Sequence, residues 1–259
     1  METERKRMPA IFAGHGSPMN AILDNEYTAV WEKLGREIER PELILSVSAH
    51  WYTHGTWVSD SEKPKQIYDM YGFPEELYRL KYEAKGSKAL SGRILDLLGH
   101  GVSVDNSWGI DHGTWSVLCK MYPEADIPVV QLSIDADSNP VRHYEIGKML
   151  NKLRDEGVMI FGSGNIVHNL GRVSWDMDGG ESWAVEFDGY IRDRILEGDH
   201  RSVIDYRSAG KSQELSFRTP EHFLPLLYVL GAADENDSIR IFNESCTMGS
   251  ISMTGYIFG

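Results

Sequence analysis

Residues 9–18 read Pro-Ala-Ile-Phe-Ala-Gly-His-Gly-Ser-Pro, an apolar run that breaks directly into a glycine-flanked histidine. Residues 9–13 have the length and composition of a buried β-strand. Glycines on both sides of His15 let the backbone turn sharply and come close to a ligand. The same pattern returns twice. Residues 43–47 (LILSV) lead through Ser48 and Ala49 to His50, and residues 158–161 (VMIF) lead through a GSGN turn to His168. In open α/β sheets, ligands bind at the carboxyl ends of the strands. One such histidine would read as a hydrogen-bonded structural residue. Three in the same strand–loop context read as a site on one sheet edge.

Working outward, further strand candidates lie at residues 128–133, 238–242 and 251–258. Between them are helical stripes: Leu90, Ile94, Leu97 and Leu98; Ala184, Phe187, Ile191 and Ile195; and Tyr144, Leu150 and Leu153. Asn139-Pro140 introduces the last of these as cap and first turn. Strands alternating with such helices predict an α/β fold in one domain spanning 1–259. Its largely parallel central sheet would be covered by helices on both faces. The last two strand candidates have no helix between them, so the sheet should be mixed. Residues 51–82 are rich in aromatic side chains, among them Tyr52, Trp57, Tyr68 and Tyr82, and read as a long loop folded over something. Residues 1–8 read as a flexible tail.

Composition narrows the partners. The 259 residues carry 26 Lys and Arg against 39 Asp and Glu, a net charge of −13. That balance argues against nucleic acid and against an anionic membrane surface, both of which need clustered cations. The amino terminus has no apolar core of a signal peptide, and no run is long enough to cross a bilayer. Cys119 and Cys246 form no disulfide framework, and Cys246 reads as partly exposed. A cytoplasmic, enzyme-sized protein is the expected class.

Two more histidines have informative settings. His222 lies in Thr219-Pro220-Glu221-His222, where Thr219 can cap a helix and Pro220 can take its first position. The segment that follows, FLPLLYVLGAA, is apolar nearly all round and therefore buried. His112 lies in GIDHGTW, where Asp111 or Thr114 could begin a helix running to Lys120. It reads equally as a capping-loop residue and as a substrate contact. His54 stands four residues from His50, a helical metal-pair spacing, but its neighbours disfavour a helix. His100, His143 and His200 sit among charges and read as surface residues. The GSGN turn lacks the spacing of a phosphate loop, and no GxSxG elbow is present. Ser17 or Ser163 could serve a hydrolase only through an unusual triad.

The ordered set GHGSP, SAHW, DHGTW, GSGNIVHNL and TPEHFLPLLYVLGA covers almost the whole chain. It resembles the DOPA-type extradiol dioxygenases, relatives of the catalytic subunit of protocatechuate 4,5-dioxygenase. The resemblance implies a single α/β domain with one divalent metal ion at a sheet edge. It makes His15, His50 and His222 the metal ligands, His168 the acid–base residue and His112 a substrate-contacting histidine. Non-heme iron oxygenases usually present two histidines and a carboxylate. Here the third ligand is His222, with Glu221 beside it, a set closer to zinc. The expected chemistry is insertion of both atoms of O2 into a catechol such as DOPA or a related phenolic acid. Fe(II) is expected for turnover and Zn(II) in the protein as purified. The alternatives are a zinc-dependent hydrolase on the same histidines and a non-enzymatic binding protein on the same fold.

Overall fold

Successive residues of a strand face opposite sides of a sheet, and both sides of this sheet are covered. In β1 (Ala10–Gly14), Ala10 and Phe12 pack into one helical layer while Ile11 and Ala13 pack into the other. The structure is a computed structural model and describes residues 6–259. The other strands are β2 (Leu43–Thr53), β3 (Thr56–Val58), β4 (Val102–Val104), β5 (Val129–Asp135), β6 (Val158–Gly164), β7 (Ile239–Phe242), β8 (Cys246–Thr247), β9 (Ile251–Ser252) and β10 (Gly255–Phe258). Among the described residues eight of them form one sheet in the order β4-β3-β5-β2-β6-β1-β10-β7, and β8 pairs with β9. The centre is parallel: β2 pairs with β5 and β6, and β6 pairs with β1. The chain returns antiparallel through β10 and β7, as the missing connecting helix predicted.

The helices are α1 (Glu26–Glu37), α2 (Glu75–Arg79), α3 (Lys88–Leu98), α4 (His112–Met121), α5 (Pro140–Leu150), α6 (Ser182–Leu196), α7 (His200–Ile204), α8 (Lys211–Ser216) and α9 (Leu224–Ala232). Helices α3, α5, α6 and α9 bury their apolar stripes with Leu45, Val47, Val158 and Ile160 on one face. On the other face α1 and α4 bring Trp31, Leu34, Trp115 and Leu118 against Ile44, Met159 and Phe161. This is the two-sided mixed α/β domain expected from the sequence. Asn139 caps α5, accepting from the Arg142 N–H, with Pro140 in the first turn. No helix among the described residues is long and apolar enough to cross a membrane.

Several local expectations need correction. Strand β2 runs to Thr53, so His50 lies inside a strand rather than on a loop. Residues 51–82 hold the end of β2, all of β3 and α2, so they are not one continuous loop. Residues 251–258 divide into β9 and β10. His143 is fully buried, its Nδ1 2.9 Å from the Tyr228 hydroxyl. Its charged sequence neighbours Arg142 and Glu145 fall elsewhere around α5. Cys246 is buried as well, in the β8–β9 pair. Of the expected tail, residues 1–5 lie outside the described residues. Arg7 pairs with Asp155 and Asp234, and Met8 is buried with its N–H on the Arg154 carbonyl, so these two residues belong to the fold.

Arg154 closes the amino-terminal edge of the sheet. Its guanidinium is fully buried and donates to both Asp237 carboxylate oxygens at 2.5 and 3.0 Å. It also donates to the carbonyls of Met8, Ala232 and Phe258. One side chain thus ties together the entry to β1, the end of α9 and the end of β10.

Candidate metal centre

Strands β2, β6 and β1 are neighbours, and their carboxyl ends carry His50, His168 and His15. His15 follows β1 directly, and its backbone N–H donates to the Gly164 carbonyl at 3.1 Å. His50 reaches the edge differently. Pairing of β2 with β6 stops at Ser48 and Ser163, and its register against β5 shifts between Val47 and Tyr52. Such an irregularity re-aims side chains out of the ordinary alternation, and here it places His50 over the edge of the sheet.

His222 lies in a turn ahead of α9 rather than in its first helical turn. No side chain caps α9, and Pro225 occupies its start in place of Pro220. The turn is instead pressed against β6: a Cβ at residue 164 would stand 2.0 Å from the His222 carbonyl oxygen, so only glycine admits it. Asn165 N–H donates to that same carbonyl at 2.9 Å.

His112 is the first residue of α4, and Asp111 is the cap, as one of the two sequence readings expected. The Asp111 carboxylate is fully buried and accepts from Ser48 Oγ, Gln131 Nε2, Trp108 Nε1 and the Thr114 N–H. At Gly113 a Cβ would stand 2.8 Å from His50 Cδ2. The glycine therefore lets the His50 ring lie against the first turn of α4.

The five imidazoles converge. Ring centroids lie 5.1 Å apart for His15 and His50, 5.4 Å for His15 and His222, and 5.0 Å for His50 and His222. His112 is 3.9 Å from His50, and His168 stacks on His222 at 3.5 Å with the rings 6° from parallel. One nitrogen from each of His15, His50 and His222 falls within 4.8 Å of the others.

Hydrogen bonding fixes which nitrogens face inward. Ser163 Oγ donates to the Gly113 carbonyl, so it must accept from Nδ1 of His15, 3.0 Å away. His50 Nδ1 lies 2.9 Å from Asp69 Oδ2, and His222 Nδ1 lies 3.2 Å from Glu221 Oε1. Carboxylates only accept, so the hydrogen bond at His222 puts the proton on its Nδ1, and the close His50 contact with Asp69, off the hydrogen-bond line, favours the same tautomer. All three Nε2 lone pairs are left to the interior. Two of them, on His15 and His50, are 3.3 Å apart, and that of His222 is buried with no hydrogen-bond partner. Buried acceptors facing one another are costly without a bridging cation. A divalent ion would satisfy them, in the carboxylate–histidine–metal arrangement that orients metal-bound imidazoles. The carboxylates of Asp69 and Glu221 stand behind His50 and His222.

Burial, reinforced by the neighbouring histidines, holds His15 and His222 well below the ordinary imidazole range. Burial likewise lowers His168, to about 3, and lowers His112. His50 is raised, because Asp69, Asp111 and Glu221 outweigh the effect of its burial. Asp69 is held far below the usual carboxylate range, its burial overcome by His112 and His50. Burial thus favours the neutral imidazole on His15, His222, His112 and His168, as metal ligation requires, while the carboxylates around His50 pull that ring the other way.

The other candidates lie elsewhere. His54 is exposed and pairs with Asp137. Ser17 caps the turn at Pro18–Ala21, and Ser163 is committed to His15 and Gly113, so neither is a nucleophile. Asp69 is the functional residue that sequence reasoning missed. The segment 65–69 is held along 109–111: Ile110 N–H donates to the Lys65 carbonyl and Ile67 N–H to the Ile110 carbonyl. Trp115 Nε1 donates to the Ile67 carbonyl at 2.9 Å. A lone aspartate in an aromatic-rich stretch carries no local signal of that placement.

Residues 8–259 match the family described as the catalytic LigB subunit of aromatic ring-opening dioxygenase. The chain is 48% identical over 259 residues to a 4,5-DOPA dioxygenase extradiol of Escherichia coli (strain K12), covering 98% of this chain and 95% of that protein. It is 38% identical over 265 residues to a 4,5-DOPA dioxygenase extradiol of Beta vulgaris, covering 100% and 99%. Among solved structures, that of an uncharacterized protein from Escherichia coli K12 matches with a TM-score of 0.86 at 45% identity. That match covers 98% of this chain and 100% of the other.

Proposed function

Because the chain belongs to the family of the catalytic LigB subunit of aromatic ring-opening dioxygenase, we propose that it opens a DOPA-like catechol in the extradiol manner at one metal ion held by His15, His50 and His222. The observation that carries this reading is the convergence of three Nε2 lone pairs, each fixed by a partner on its own Nδ1. The working ion is Fe(II), which can hold both catechol oxygens and pass an electron to O2 as d¹⁰ Zn(II) cannot. Zinc is the ion expected in protein purified without added iron.

The chain's own residues supply proton handling and orientation. His168 is half-buried and stacked on the ligand His222, and desolvation keeps its imidazole neutral. It is therefore placed to take a proton from a substrate hydroxyl and return it later. His112, 3.9 Å from the His50 ring, contacts the substrate from the opposite side of the cluster. Burial of these rings keeps water away from the reacting atoms. The acidic composition and the two free thiols, Cys119 and Cys246, suit action in the cytoplasm on a small molecule.

Oxygen consumption by Fe(II)-reconstituted protein, measured against a panel of catechols, tests the reading. Uptake that depends on a carboxylated catechol is the expected result. No uptake with iron demonstrably bound would overturn it. Turnover that persists under strict anaerobiosis with zinc alone would point to the hydrolase instead.

A further inference from the structure

Asp69 stands between the metal ligand His50 and the substrate-side histidine His112. Its Oδ2 is 2.9 Å from Nδ1 of His50. Its Oδ1 is 3.0 Å from Nδ1 of His112 and also accepts the backbone N–H of His112 at 3.0 Å. Building on the metal-dependent reading above, we propose that Asp69 is a positioning residue that couples metal ligation to substrate contact. Both ring contacts are close in distance but off the hydrogen-bond line, which leaves Asp69 Oδ2 and His112 Nδ1 without a bonded partner. A carboxylate only accepts, so a small turn of the rings lets this one side chain impose the Nδ1–H tautomer on both. His50 then offers its Nε2 lone pair to the ion, and His112 offers its own to a substrate hydroxyl.

The coupling is a matter of donor and acceptor arithmetic. An amide in place of the carboxylate has one accepting and one donating end. The backbone N–H of His112 requires the accepting end at the Oδ1 position. The donating end then faces Nδ1 of His50, which must become an acceptor and place its proton on Nε2, where the metal belongs. Asp69→Asn therefore damages ligation selectively, whereas Asp69→Ala releases both rings.

The test uses the full chain loaded with zinc and, separately, with iron. In zinc-loaded protein, ¹⁵N imidazole shifts report each tautomer, and competition with a chelator reports affinity. Zinc affinity should fall about 10–100-fold in both variants. His112 should keep its Nδ1 proton in Asp69→Asn and lose that preference in Asp69→Ala. With iron at saturation, Asp69→Ala should lower kcat more in the wild-type background than in a His112→Phe background, while weakening metal binding in both. An unaltered His112 tautomer in Asp69→Ala overturns the proposal. So does an equal kcat loss in both backgrounds. The shifts and affinities are read without any catechol, so they stand even if the assignment of ring-opening activity fails.

Discussion

Replacing Ser163 by alanine removes one oxygen atom and leaves the buried Nδ1 of His15 without its partner. Ser163 Oγ accepts from His15 Nδ1 and donates to the Gly113 carbonyl, which helix α4 also engages, and both Ser163 and His15 are buried. The orphaned imidazole N–H costs about 1–3 kcal/mol. The hydroxyl's own desolvation, no longer incurred, offsets part of this, so the metal-free variant should lose roughly 1–2 kcal/mol. The effect on the ion is separate. Without Ser163, nothing holds the His15 proton on Nδ1, and outer partners of metal-bound histidines are worth about 10–100-fold in affinity. That is about 1.4–2.7 kcal/mol. Urea unfolding with and without zinc, beside a chelator competition at fixed pH, separates the two. The stability gap between Ser163→Ala and the wild type should widen in saturating zinc by the affinity loss, as linkage requires. Zinc affinity within twofold of wild type, with stability lowered, would show that Ser163 only packs. The tautomer assigned to His15 would then be wrong.

The ligand set makes its own prediction: His15→Ala, His50→Ala and His222→Ala should each lose the ion in elemental analysis, whereas His168→Ala should keep it and lose turnover. Equal metal loss in all four would make His168 a ligand. Acid should destabilise the metal-free protein. Burial lowers the pKa of His143 to about 4, so below about 6.5 the unfolded chain takes up a proton that the fold refuses. Stability from this group is present above about 6.5 and is lost as pH falls toward 4, at up to about 1.4 kcal/mol per pH unit. His143→Gln should flatten the pH dependence of urea unfolding by about one proton, and an unchanged slope would refute the assignment. Arg154→Met takes the cation from the Asp237 carboxylate and its donor from the Met8 and Phe258 carbonyls, while Asn151 still serves Ala232. A loss of about 3–5 kcal/mol is expected, and a urea midpoint close to wild type would contradict it.

The sheet was legible because its central strands open as apolar runs, which in β1 and β6 end in glycine. Residues 9–13 and 158–161 needed only small changes of boundary. The edge strand β4 and its neighbour β3 were not legible, being three residues long with one polar position each. His15, His50, His112, His168 and His222 were all visible as residues, and the structure brings all five together. The route taken by His50 was hidden, since a shift of register leaves no mark in composition. His222 was placed one turn too far into its helix because Pro220 and Pro225 both fit a helix start. His143 shows the weakness of judging exposure from sequence neighbours: a helix turns adjacent charges away from a buried face. Asp69 was invisible for a different reason. Its position depends on backbone bonds to residues about forty places along the chain.

The pairing order of the sheet has a consequence for how the protein is made. Strand β1 emerges from the ribosome well before β6, yet it lies between β6 and β10, with Ala10 beside Ile160 and Phe258. At ordinary synthesis rates it waits roughly 10–30 seconds for the first of these partners. Throughout that interval a two-sided apolar strand has no sheet to join, which makes it a natural client for a chaperone. His15 and His50 are translated long before His222. On the proposed ligand set, a chain made only as far as β6 offers an ion an open pair of histidines, and secure capture waits for the turn that carries His222.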